Sequence, residues 1–180
     1  MATSKSQANA STYDLARNPL SHVLEELIEE ATAFPLSGLI DGAVVMDGDG
    51  RTLAMAGRYL QRNLWEISAL SAALVGVAQQ GRIYLQAGVI SDIMVLYDDK
   101  QLYVCHVGGS RRGCPILLAI IADIRTNIGF VRIRMQQTAR QLLALVENDA
   151  AVQQLLELHE EDLESAMHTL MNAFSRGTTP

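Results

Sequence analysis

Ile116-Leu117-Leu118-Ala119-Ile120-Ile121-Ala122 is apolar at every position, with no alternation of polar and apolar residues. A strand with one wet face alternates; a short run that does not alternate reads as a central strand covered on both faces. Working backwards from it, Leu102 to Val107 and Asp92 to Tyr97 read as two more strands, joined by a turn at Asp98-Asp99-Lys100. Gly108 to Pro115 is the loop that leads into the central run. Further upstream, Ala43-Val44-Val45-Met46 and Arg51 to Gly57 flank Asp47-Gly48-Asp49-Gly50. Two apolar runs around an Asp/Gly tetrapeptide make a β-hairpin, because these residues tolerate the positive φ of tight turns.

Helical spacing fills the gaps between the strands. A first helix opens at Pro19–Ser21, where proline suits a position without a donor. Leu20, Val23, Leu24, Leu27, Ile28 and Ala31 form its stripe, and Glu25, Glu26, Glu29 and Glu30 face away. The break at Phe34 to Gly38 ends it. A third helix follows Asp123–Asn127, with Ile128, Val131, Met135, Ala139, Leu142, Leu143 and Val146 as its stripe.

The second helix, Asn63 to Gln80, behaves differently. Leu64, Ile67, Ser71, Leu74, Val75 and Ala78 make one face; Trp65, Ala69, Ala72, Ala73 and Gly76 lie opposite, with no charge after Glu66. A helix that is apolar or small all round is buried all round, and small residues let another helix come close. One five-stranded sheet cannot cover both faces. Trp65 therefore reads either as an interface anchor or as a cap on the edge of the core.

The element order is α-β-β-α-β-β-β-α, an α/β (α+β) domain whose five-stranded sheet is mainly antiparallel and carries its helices on the faces. Residues 1–18 read as a small polar arm, 19–148 as the domain, and 149–174 as an acidic amphipathic helix, with a tail at 175–180. In that last helix Leu163, Met167, Leu170 and Phe174 supply helically spaced anchors for another protein, unless the helix packs back on its own domain.

Composition excludes several classes. A net charge of −6 leaves no electrostatic footprint for nucleic acid. The amino-terminal residues have no apolar core of a signal peptide, and no run approaches the roughly 18 apolar residues that span a bilayer. The expected location is cytoplasmic, without membrane insertion. Cys105 reads as a small buried hydrophobe, and Cys105 and Cys114 alone do not make a disulfide framework.

Chemistry fares no better. Asp47-Gly48-Asp49-Gly50 opens like a calcium loop, but Arg51 and Arg58 occupy positions that need ligands. His22, His106, His159 and His168 lack partners at metal-binding spacings. Cys105 and His106 are adjacent on a strand, so they point to opposite faces. Gly108 to Gly113 is glycine-rich but joins two strands, with no helix N-terminus for a phosphate. The expectation is no catalytic residue, no metal and no cofactor.

Gly42-Ala-Val-Val-Met-Asp47, Asp49-Gly50-Arg-Thr-Leu-Ala54 and the apolar fifth strand, in this element order, resemble the Roadblock/dynein light chain superfamily. Val107-Gly108-Gly109-Ser110 and Arg125 to Arg134 look like its bacterial mutual gliding-motility B (MglB-like) branch. The resemblance covers roughly residues 20–148. It implies a homodimer in which third strands pair edge to edge and second helices pack together, with Ala69, Ala72, Ala73, Gly76, Ile93 and Val95 at the interface. It further implies a small Ras-like GTPase as partner, with Arg62, Trp65 and Glu66 as contacts. Stimulation of GTP hydrolysis would then work by repositioning groups already in the GTPase, not by donating an arginine in trans. The Arg111-Arg112-Gly113-Cys114-Pro115 loop and the longer C-terminal helix depart from the branch. The alternative is a scaffold dimer that assembles a complex through its C-terminal helix.

Overall fold

A computed structural model of the chain describes residues 18–33, 38–57, 60–110 and 113–157. The elements are α1 (Pro19–Ala33), β1 (Ile40–Asp47), β2 (Thr52–Ala56), α2 (Leu60–Leu85), β3 (Asp92–Leu96), β4 (Lys100–Gly109), β5 (Pro115–Asp123) and α3 (Ile128–Asn148). Residues 150–157 form one more helical segment. The strands make a single sheet in the order β2-β1-β5-β4-β3, and every neighbouring pair is antiparallel.

β5 is the middle strand, and its unbroken apolar run has the predicted cause. Ile116, Leu118, Ile120 and Ala122 enter one core, while Leu117, Ala119 and Ile121 enter a second core on the opposite face. β1 divides likewise, with Ala43 and Val45 on the first face and Val44 and Met46 on the second. Burying each large aliphatic side chain contributes roughly 2 kcal/mol, so the sheet is held from both sides.

The first face carries α1 and α3. The expected α1 stripe is in place: Leu20, Leu24, Leu27 and Ala31 are buried, with Val23 and Ile28 packed against them. Asn18 caps this helix through its Oδ1, which accepts from Ser21 N at 3.0 Å, and its Nδ2 donates to Leu53 O at 2.8 Å. That second bond fastens the start of α1 to β2. In α3 the stripe is shifted at its beginning. Ile128, directly after the Asn127 cap, is exposed, while further along Thr138, off the expected stripe, is buried. α3 lies so close to β4 that a Cβ on Gly108 would stand 2.6 Å from Leu143 Cδ1.

The start of the C-terminal helix belongs to this same core. Asp149 closes α3 by donating its backbone N–H to Leu145 O, and its Oδ1 accepts from Ala151 N and Val152 N. One residue thus ends one helix and starts the next. Val152, Leu155 and Leu156 are buried among the α1 and α3 side chains. Packing back on its own domain is therefore what residues 150–157 do, and the structural unit extends past residue 148.

α2 covers the other face. It runs further than its charge-free stretch suggests, from Leu60 through Gly81 and Arg82 to Leu85. Gln86 then takes a left-handed φ of 52°, Ala87 N bonds Arg82 O, and Gln86 N bonds Ile83 O. This is the crossed pair of bonds that closes many helices, usually with glycine at the left-handed position.

Candidate functional site

The inner face of α2 is built to lie on the sheet. Leu64 is buried, and Ile67, Leu74 and Val75 pack on the second core formed by β1, β4 and β5. Two serines sit on this face without cost. Ser71 Oγ donates to Ile67 O at 2.7 Å, and Ser68 Oγ pairs with Thr52 Oγ1 at 2.9 Å. The hairpin turn presses against the helix at the same place. Gly50 has φ of 83°, and a Cβ there would stand 3.2 Å from Ala69 Cα and Ser68 O.

Among the described residues, nothing covers the outer face in this way. Trp65 is 68% exposed and Val77 71%, and Ala69, Ala73 and Gly76 are exposed between them. Ile83, Tyr84 and Leu85 carry the apolar surface to the end of the helix, and Val89 continues it. Sequence spacing missed this extension because Gly81 and Arg82 look like a terminus; the apolar residues beyond them were the available signal. Exposed apolar residues on one side of a helix make this a candidate contact surface, although Gln79, Gln80 and Arg82 are exposed among them.

Of the six residues expected at a dimer interface, three stand open on α2, and Ala72 is half-buried. Ile93 and Val95 are placed differently. They pack beneath α2 in the second core, so they support the helix from below. What β3 presents sideways is backbone. It pairs with β4 on one side and is the last strand of the sheet on the other. Trp65 does not cap the core edge; its side chain stands in solvent, as does that of Glu66. Arg62 lies within α2, but its side chain is outside the described residues, as are Leu163, Met167, Leu170 and Phe174.

Two clefts flank the helix. One of about 260 Å³ lies between α2 and the β3–β4 turn, lined by Ile67, Leu70, Tyr97, Lys100 and Leu102. The other, about 200 Å³, is bordered by Val75, Arg82, Asp92, Ile93 and His106. Two of the charges around them, Lys100 and Asp92, are paired. Lys100 Nζ is 2.7 Å from Asp41 Oδ2, and its hydrogen bond to Asp41 raises the Lys100 pKa. Asp92 receives Arg132 at 2.8 Å.

Two groups that could do chemistry, Asp47 and Cys105, have structural uses. Asp47 Oδ1 accepts from Asp49 N and Arg51 N, each at 2.9 Å, which fixes the hairpin turn. Burial nevertheless holds its carboxyl above the usual range. Burial also pushes the Cys105 thiol up to about 12, the reverse of what a nucleophile needs. Cys105 enters the first core, whereas His106 is exposed on the other side of β4. Both cysteines are free thiols. Among the described residues no group of three His, Cys, Asp or Glu could hold a metal ion, and no helix is long and apolar enough to cross a membrane. Arg111 and Arg112 lie outside the described residues, as do His159 and His168.

A five-stranded antiparallel sheet with α1 and α3 on one face and a long α2 on the other can be compared with known folds. It matches MglB of Myxococcus xanthus with a TM-score of 0.59 at 18% identity, over 73% of this chain and 97% of that one. The chain has the Roadblock fold. A Roadblock/LC7 domain from Streptomyces avermitilis agrees with a TM-score of 0.57 at 17% identity, covering 67% of this chain and 92% of that one. An MglB structure described as having a tetrameric arrangement gives 0.59 at 19%, covering 72% and 92%. No protein-family model and no curated protein matches the sequence.

Proposed function

We propose that this chain is a homodimeric regulatory module that binds a small Ras-like GTPase and stimulates its GTP hydrolysis without donating a catalytic residue. The observation that carries the reading is the outer face of α2. From Ile67 to Gly81 the helix has no charged residue, yet Ala69, Ala73, Gly76 and Val77 on its far side are exposed. A second copy would cover that surface, and β3, as the last strand of the sheet, has a backbone edge suited to strand pairing. The similarity to an MglB of tetrameric arrangement supports self-association, and the MglB likeness supports a role in gliding motility or a related cytoplasmic process.

Trp65 and Glu66, with Arg62 one turn earlier, sit at the N-terminal end of the same helix, where a dimer would leave them open to the GTPase. On this reading the chain contributes surface, and Cys105, held as a thiol, and Asp47, tied into a turn, take no part in the chemistry. The test is single-turnover GTP hydrolysis by a small Ras-like GTPase from the same cell, with and without the full chain. The expected result is faster turnover that Trp65→Ala abolishes. A complex with unchanged turnover favours the scaffold reading, and the absence of any complex overturns the assignment of the partner.

A further inference from the structure

We draw no further inference here: the strongest candidate, the apolar cleft between α2 and the β3–β4 turn lined by Ile67, Leu70 and Tyr97, is an open groove, and nothing in the structure shows what covers it.

Discussion

The hydroxyls of Thr52 and Ser68 meet at 2.9 Å beneath α2, and both residues are buried. They join the β1–β2 hairpin to the helix that carries the exposed face. Gly50 lies at the same junction, where a Cβ would stand 3.2 Å from Ala69 Cα.

Removing one partner should cost more than removing both. Ser68→Ala leaves the Thr52 hydroxyl buried without its bond, at a cost of about 1–3 kcal/mol. Adding Thr52→Val in the same chain keeps the shape and removes the stranded group, so stability should recover in part. Urea unfolding of the single and double variants measures this. A double variant less stable than Ser68→Ala would show that the pair is not what fastens the hairpin to α2.

The C-terminal helix is expected to matter for folding before it matters for binding. Leu155 is 2% exposed and packs with Val152 and Leu156 in the core under α1 and α3. Leu155→Ala should cost about 2–4 kcal/mol, the range for emptying a leucine site in a packed core. Thermal or urea unfolding reads it. A loss within about 0.5 kcal/mol, as at a surface position, would mean that the helix is not part of the domain.

Cys105 sets a dependence on alkaline pH. Its thiol stands near 12, raised from 9.0 by burial, so the native chain keeps a proton that the unfolded chain gives up. The contribution is complete below pH 9 and is lost as pH rises from there toward 12. Cys105→Ala should therefore lose less stability across the alkaline range than the parent chain. Parallel curves for the two chains would contradict the burial of this thiol.

Much of this architecture can be read from residue spacing. The α1 stripe from Leu20 to Ala31 and the two-sided run from Ile116 to Ala122 are local patterns with one physical solution, and both stand where their periodicity puts them. Ile128 is different: hydrophobic spacing puts it on the stripe, yet it lies in the first turn of the helix and is exposed. The end of α2 is hidden by Gly81 and Arg82, since a glycine and then a charge imitate a terminus while the helix runs on to a left-handed Gln86. Residues 150–157 are amphipathic on inspection, but amphipathicity does not say whose core the apolar side enters. The same limit applies to the candidate site. Spacing reveals a surplus apolar face on α2, but it does not show that the side chains of Ile93 and Val95 pack on the second core under that helix.

Light scattering of the parent chain and of Ala73→Arg tests self-association through α2 most directly. Ala73 is exposed in the single chain, so arginine there should leave its fold and stability nearly unchanged. At a helix–helix contact the same charge would be buried and unpaired, which is costly. Self-association through α2 gives a parent chain of twice the single-chain mass and an Ala73→Arg chain that is folded and monomeric. A monomeric parent, or an Ala73→Arg chain that remains a dimer, would contradict it.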